Sequence, residues 1–373
     1  MALMSCSEQK SLSPTLAPTE KITVSATSQP TITIQPSLTP APTATPTPSY
    51  KVIQETTVSN LEKIYQWDVN KLTSFTGASF WFSDSNQFIL PIHKETSSGI
   101  QSFDTDDFAE TWSVNFDYPW SVTVYDDEII SYLHGLHIFN RHGQEIQTIS
   151  TQDNCGKSLA DFIAVIPNSD FIITGHQDAY SDTGLNYNVD DKASLVRWNK
   201  SNNSCSILLP EIKGRLFSLS ASPDGRYIGY SFGVRAETGY WKKYTNIYHL
   251  DSERNSCQVD GFISLFSPQN QLVVYDLDND LISFVTPSDC KQQVKFNINI
   301  KISALSFVPN SNLLAGVSET TLNIWNVESG EVVKELDLRA FHMNSPIIGF
   351  SPDGRFLVLA ENKKIMLWGI LEK

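Results

Sequence analysis

Aromatic side chains and one arginine concentrate in two long stretches of this 373-residue chain, residues 176–191 and 232–244. Tyrosine, tryptophan and arginine are enriched where proteins bind one another, because they present large, rigid surfaces with both apolar and polar atoms. We therefore predict a binding site for a protein or for sugar rings, formed by Tyr180, Tyr187, Arg235, Tyr240, Trp241 and Tyr244. The alternative is that these rings pack on one another and only hold the two stretches down.

No sequence motif for catalysis or cofactor binding is present. The chain lacks HExxH, GxSxG, a Walker loop, GxGxxG and paired cysteines with zinc spacing. We predict that the protein is not an enzyme and that it holds no cofactor or metal. The seven histidines are scattered, and those beside turns suit exposed or hydrogen-bonded positions better than ligand positions: His93, His134, His137, His142, His176, His249 and His342.

Closely spaced aspartates occur in three groups. Two groups alternate as in a calcium loop but lack its glycine and its glutamate, and we predict that they form turns. These groups are Asp276, Asp278 and Asp280, and Asp104, Asp106 and Asp107. A metal site stays the alternative for the third group, which lies at the first aromatic stretch: Asp178, Asp182, Asp190 and Asp191.

The end of the chain shows which elements must position these residues. Residues 347–370 read IIGFSPDGRFLVLAENKKIMLWGI, in which a tight Ser-Pro-Asp-Gly-Arg turn joins two apolar runs. A polar turn follows, and a third apolar run contains Trp368. This order predicts three antiparallel strands. One such unit cannot bury both faces of its sheet, so it needs copies of itself.

Seven copies of this unit can be counted. Its turn recurs at residues 83–86, 126–128, 167–170, 222–226, 267–270, 309–312 and 351–355. A large apolar residue closes the third run each time, at Phe103, Phe139, Trp198, Leu250, Phe284, Trp325 and Trp368. The intervals between these anchors are 36, 59, 52, 34, 41 and 43 residues, and a period of about 40 to 45 residues is typical of four-stranded propeller blades. The two longest intervals hold the aromatic stretches, which we predict to be long loops between the second and third strands.

At these residues the chain resembles the WD-repeat β-propellers, best in LNIWNVESGEVVKEL (residues 322–336) and in the two SPDGR turns. The third strand TNIYHLD, at residues 245–251, is similar to repeats of periplasmic propellers. The Gly-His pair that precedes the first strand in the family is missing from every blade, and a literal Trp-Asp occurs only at Trp67-Asp68. The resemblance covers roughly residue 60 to the C-terminus and implies an all-β, seven-bladed propeller.

Closure of the ring is predicted at the seventh blade. Only three residues follow Ile370, too few for an outer strand, whereas residues 61–69 (LEKIYQWDV) have the pattern of a strand before the first full blade. We predict that this N-terminal strand completes the last blade and covers edges that would otherwise aggregate.

The N-terminal region has the features of an anchor and a tether. Leu3-Met4-Ser5-Cys6 resembles the lipobox of bacterial lipoproteins, in which the cysteine is lipidated. The usual basic and apolar segments are absent before Cys6, so we expect the reading frame to begin upstream. Residues 11–50 contain eight prolines and ten threonines, with no aromatic residue before Tyr50, a composition typical of an extended, disordered segment. The predicted divisions are 1–6, the remnant of a signal peptide; 7–50, a disordered linker; and 51–373, the propeller.

Membrane contact is expected only through a lipid on Cys6, because the sequence has no run of 18 apolar residues. The net charge of -14 argues against nucleic acid or anionic lipid as partners of the propeller.

The cysteines of the propeller are predicted from their places in the repeat. Cys205, Cys257 and Cys290 lie seven, seven and six residues beyond the third-strand anchors of three successive blades. Equivalent outer positions on neighbouring blades should exceed the Cα separation of a disulfide, so we predict no pairing among these three. Cys155 is left able to pair with one of them.

Together these features predict a monomeric, non-catalytic propeller that binds or scaffolds partners at the cell surface or in the periplasm. The partner, a protein or a glycan, would contact the face that carries the insertions. One alternative is an extracytoplasmic enzyme acting on a saccharide or a small ester in the central channel. Another is a cytoplasmic scaffold with a disordered tail, which would follow if Cys6 were not lipidated.

Overall fold

The chain divides into two units, Met1–Pro46 and Thr47–Lys373. The computed structural model describes residues 49–68, 80–94, 97–115, 121–132, 134–150, 155, 160–177, 192–236, 240–339, 346–361 and 364–372. Cys6 and almost all of the predicted tether lie outside these residues, so the predictions made for them stay predictions.

The described part of the second unit consists of short strands, one 3-10 turn at Val58–Asn60 and connecting turns. Within these residues no helix is both long and apolar enough to cross a membrane. In chain order the strands are β1 Tyr50–Lys51, β2 Glu62–Asp68, β3 Gln87–Lys94, β4 Ser97–Asp104, β5 Glu110–Asn115, β6 Val122–Tyr125, β7 Glu128–Tyr132, β8 Gly135–Phe139, β9 Glu145–Ser150, β10 Phe162–Val165, β11 Phe171–Gln177, β12 Lys192–Asn199, β13 Ser204–Lys213, β14 Arg215–Ala221, β15 Tyr227–Arg235, β16 Trp241–His249, β17 Arg254–Asp260, β18 Phe262–Phe266, β19 Leu272–Asp276, β20 Leu281–Val285, β21 Gln292–Asn297, β22 Ala304–Phe307, β23 Leu313–Val317, β24 Thr321–Asn326, β25 Val332–Asp337, β26 Ile347–Phe350, β27 Phe356–Glu361 and β28 Lys364–Leu371.

These strands form seven antiparallel sheets that follow one another along the chain. Blades 2 to 6 contain β6–β9, β10–β13, β14–β17, β18–β21 and β22–β25, and blade 7 contains β26–β28 together with β1 and β2. Blade 1 contains β3–β5, with Trp81 bridging to Phe88 in the place of a first strand. From blade 2 to blade 7 the first strand of each blade contacts the first strand of the next, so these strands surround a common axis. The predicted seven-bladed β-propeller is confirmed.

The apolar second strands lie between neighbouring blades, which explains their lack of alternation. Every residue of β23 is buried, as are the first five residues of β27. Outer strands such as β25 alternate between exposed and partly buried residues, because only one of their faces meets another blade. The position of a strand within its blade therefore determines its hydrophobic pattern.

The seventh blade is closed by the N-terminal segment, as predicted. β2 pairs antiparallel with β28, from Glu62 opposite Gly369 to Asp68 opposite Lys364. The short strand β1 pairs with the end of β28 at Ile370. The first and last parts of the described chain thus share one sheet, and this pairing covers the edge of β28.

The turns between first and second strands link neighbouring blades. In the SPDGR turn of blade 7, Ser351 accepts a hydrogen bond from the N–H of Phe356 at 2.9 Å and donates to Asp353 at 2.7 Å. The N–H of Asp353 donates across the seam to the hydroxyl of Ser85 in blade 1 at 3.0 Å. Ser351 therefore stabilises its own turn, and Asp353 links that turn to the adjacent blade.

The propeller has one disulfide that the sequence left open and one that contradicts the cysteine prediction. Cys155 pairs with Cys205, which is one of the pairings left open. Cys257 pairs with Cys290 at a Cα separation of 5.8 Å, so the prediction of no pairing among the three outer cysteines was wrong. The positions are not equivalent, because Cys257 lies within the outer strand β17 whereas Cys290 lies in the turn before β21, with a left-handed φ of 60°. That turn brings Cys290 to the outer strand of the preceding blade.

Candidate binding face

The described parts of the second aromatic stretch, residues 232–236 and 240–244, belong to blade 4 and form a β-hairpin that extends beyond its own sheet. β15 and β16 stay paired as far as Arg235 and Trp241. The flanking strands β14 and β17 stop pairing with them at Gly233 and Tyr244. The prediction of a long loop in this stretch was therefore wrong, since its backbone continues the ladder of the two central strands.

The described aromatic candidates divide into one exposed ring and two packed rings. Tyr240, at the end of the hairpin, is 80 % exposed. Trp241 meets Phe217 edge-on at a centroid distance of 5.9 Å, and Tyr244 packs on Phe232 at 5.6 Å. Internal packing, the alternative weighed from the sequence, therefore describes Trp241 and Tyr244 in part, whereas Tyr240 presents its ring to solvent.

Arg235 lies opposite Trp241 on the hairpin and is partly buried. Residues 178–191 of the blade 3 insertion lie outside the described residues, so the predictions for them stay predictions. Among the residues that are described, no three His, Cys, Asp or Glu side chains lie close enough to hold a metal ion. The candidates in the insertion of blade 3 are Tyr180, Tyr187, Asp178, Asp182, Asp190 and Asp191.

A cleft of about 120 Å³ separates the blade 4 hairpin from blade 5. The hairpin contributes residues 241–243, the link between the blades contributes residues 260–262, and the turn between β19 and β20 contributes residues 276–279. The N–H of Gly261 donates to the carbonyl of Lys243 at 3.1 Å, which holds the link against the hairpin. Links between blades and turns between second and third strands therefore meet on one face here.

Lys243 is the charged residue most enclosed by this arrangement. Its Nζ lies 3.6 Å from the ring centroid of Phe262 and 5.2 Å from that of Phe217. Burial lowers the pKa of the Lys243 ammonium, and the carboxylate of Asp278 partly opposes that change. Lys242 points into solvent instead, where a hydrogen bond with the Tyr244 hydroxyl raises its pKa.

Two aspartate groups form turns, in agreement with the sequence prediction. The carboxylate of Asp276 accepts hydrogen bonds from the N–H of Asp278 at 3.0 Å and from the amide of Asn279 at 2.6 Å. Asp104 accepts from the N–H of Asp106 at 2.7 Å in the same way. These carboxylates stabilise the backbone of their own turns.

One histidine has a structural role that the sequence did not reveal. His176 is fully buried in β11, and its Nε2 lies 2.7 Å from the hydroxyl of Thr174. The same hydroxyl accepts a hydrogen bond from Nε1 of Trp198 at 2.7 Å, and the ring of Tyr132 meets His176 edge-on. The Gly-His pair at residues 175–176 was the available signal, but it lies in a second strand rather than before a first strand.

Comparison with known proteins identifies the fold. No protein-family model matches the chain, and no curated protein matches its sequence. A chain in a structure titled "Crystal Structure of Mitotic Checkpoint Complex" aligns with a TM-score of 0.61 and 13% identity, over 91% of this chain and 99% of that one. The fold is a WD-repeat-like β-propeller. Because 1237 chains of solved structures match, the WD-repeat-like propeller fold by itself specifies no particular partner.

Proposed function

We propose that this protein is a non-catalytic binding propeller, displayed outside the membrane on a lipid anchor at Cys6, and that it binds a protein or a glycan through the face carrying the blade 4 hairpin. The observation that carries the proposal is Tyr240. It is a large aromatic ring, 80 % exposed, held at the end of a paired hairpin that extends past its sheet. A rigid, exposed aromatic side chain loses little conformational entropy when it contacts a partner.

The disulfides support a location outside the cytoplasm. Disulfides persist in oxidising compartments and are rare in the reducing cytosol. Four of the five cysteines form the two pairs, and the fifth is Cys6, which has the lipobox-like sequence before it. This division of roles fits a propeller exported before its cysteines oxidise.

The test is partner capture with single substitutions. The intact protein and the Tyr240→Ala variant are used as bait on native envelopes and on a glycan array, and bound proteins or glycans are quantified. We expect capture to fall at least tenfold for Tyr240→Ala, with an unchanged unfolding midpoint, because the exposed ring makes few internal contacts.

Ile207→Ala is the matched control, since its side chain is 48 % exposed but lies on the outer strand of blade 3, away from the hairpin. Capture should survive this change. Equal capture by the intact protein and by Tyr240→Ala would show that the binding surface lies elsewhere.

The second candidate is the extracytoplasmic enzyme acting on a saccharide or a small ester in the channel. We rank it lower because the first strands of blades 2 to 7 contain no Asp, Glu or His within their described bounds, and general acid–base hydrolysis needs such groups in reach of the substrate. Turnover of a nitrophenyl ester or glycoside by the intact protein would reverse this ranking.

A further inference from the structure

The cleft between blades 4 and 5 contains a cation that aromatic rings surround. The ammonium of Lys243 lies 3.6 Å from the centroid of Phe262 and 5.2 Å from that of Phe217. Within the described part of the chain, no hydrogen bond or ion pair reaches this ammonium. Burial lowers the pKa of this ammonium, because the cleft stabilises its charged form less well than water does.

Aromatic rings attract the charge of a lysine but do not satisfy its N–H groups. An ammonium has three donors, and a cation withdrawn from water is stabilised best by an oxygen that both accepts a hydrogen bond and carries negative charge. The cleft that Lys243 lines has a volume of about 120 Å³, which suits one side chain rather than a chain of sugar rings. These features point to a carboxylate on a protein.

The acidic groups around the cleft define what must surround that carboxylate. Asp276 uses its carboxylate within its own turn. The negative charge of Asp260 stabilises the ammonium of Lys242, and that of Asp278 stabilises the ammonium of Lys243. Both aspartate side chains are exposed at the edge of the cleft. A partner would therefore match the cleft best with one acidic side chain flanked by basic residues, which face the two exposed aspartates.

We propose that this cleft receives an aspartate or glutamate side chain of a protein partner, with Lys243 donating hydrogen bonds to its carboxylate and Trp241 beside it. The inference deepens the proposed binding function and rests on it, because it selects a protein over a glycan and gives the chemistry of the contact. Trp241 lines the cleft immediately after the exposed Tyr240, so one partner can contact both.

The test uses a defined probe and the full chain. The acetylated and amidated tripeptide Lys-Asp-Lys is titrated by ligand-observed NMR, with Lys-Asn-Lys as the matched neutral probe. We expect saturable binding of the acidic tripeptide, at least tenfold tighter than that of the asparagine tripeptide. The Lys243→Met variant, which keeps the alkyl contact with Phe262, should lose this preference, whereas Lys242→Met should keep it.

Equal binding of the two tripeptides to the unaltered protein would overturn the proposal, and so would an undiminished preference in Lys243→Met. The comparison of probes on the unaltered protein decides the matter even if Lys243→Met fails to fold. Failure of the broader proposal looks different. Partner capture could be unchanged in Tyr240→Ala while the preference for the acidic tripeptide is retained. That result would support the cleft as a carboxylate site and show that Tyr240 is not part of the binding surface.

Discussion

At the scale of single residues, the buried hydroxyl group of Tyr275 links two blades and has a raised pKa. Its hydroxyl donates to the carboxylate of Asp280 at 3.1 Å and accepts from the N–H of Ile302 at 3.4 Å. Ile302 belongs to the link into blade 6, so this phenol joins two blades. Burial is the main cause that raises the pKa of Tyr275, from 10.0 to about 12.

The first prediction follows from that pKa. Because folding raises it, the neutral phenol contributes stability that is fully present below pH 10 and is lost as the pH rises toward 12. Tyr275→Phe should therefore cost about 1 kcal/mol of unfolding free energy at pH 7, and its difference from the parent protein should shrink above pH 10. Urea unfolding at both pH values measures this difference, in which the other tyrosines cancel. A difference that is constant from pH 7 to pH 11 would contradict it.

At the scale of elements, the outer strand β2 closes the ring by a contact between the two ends of the described chain. Its Trp67 packs on Phe103 of blade 1 at a centroid distance of 5.5 Å, so β2 also covers the seam between blades 7 and 1. Nearby, Nε1 of Trp81 donates to the carbonyl of Gly349 across the same seam at 3.3 Å. Loss of β2 would expose both a strand edge and this aromatic packing.

We predict that a chain of residues 49–373 folds cooperatively and that one of residues 73–373 does not. The shorter chain lacks β1 and β2, which leaves β28 unpaired on one edge and invites association between copies. Circular dichroism and size-exclusion chromatography of the two chains give the result. Equal unfolding midpoints and equal monomer fractions would show that closure does not depend on this strand.

Much of this level of structure could be predicted from the sequence because its signals are local. The SPDGR turns, the apolar second strands and β2 are each encoded by a pattern of consecutive residues. The Cys257–Cys290 pair was missed because it depends on a turn of one blade reaching the outer strand of another. The blade 4 hairpin was missed for a different reason: the sequence GVRAETGYWKKY has no alternating pattern, and its pairing continues a ladder that begins deeper in the blade.

The candidate site could be predicted only in part. A binding role for both stays a prediction, but exposed Tyr240 and its neighbour Trp241 were named from residue type and from the length of the insertion. Lys243 was not, because a lysine in the sequence gives no sign of its surroundings, and the ring of Phe262 and the turn at Asp278 reach it from blade 5.

At the scale of the whole molecule, the chain enters the propeller on the side away from the blade 4 hairpin. The N–H of Ile53 donates to the carbonyl of Gly354, within the turn between first and second strands of blade 7, at 2.8 Å. The hairpin of blade 4 closes at the other end of its strands, near the turns between second and third strands. Val52, beside this entry point, and Tyr240, on the hairpin, therefore lie on opposite faces of the propeller.

Cysteine labelling in cells tests the proposed location. A Tyr240→Cys variant should react with a membrane-impermeant maleimide on cells or spheroplasts without permeabilisation, because the proposed location is extracytoplasmic. Val52→Cys, 44 % exposed near the entry point of the chain, is the matched control. It lies on the opposite face and should also react without permeabilisation. Labelling that requires permeabilisation would contradict the proposed location.

The two ends of the propeller meet on that entry side, where the N–H of Glu372 donates to the carbonyl of Ser49 at 2.9 Å. A linker of a few residues could join them, and the circularised chain could be opened between two other blades. In such a circular permutant, all strands of blade 7 would belong to one continuous segment of the chain. The blade chosen for the new ends would instead be closed by pairing between the two new termini. The position of the termini would then no longer determine which blade closes the ring.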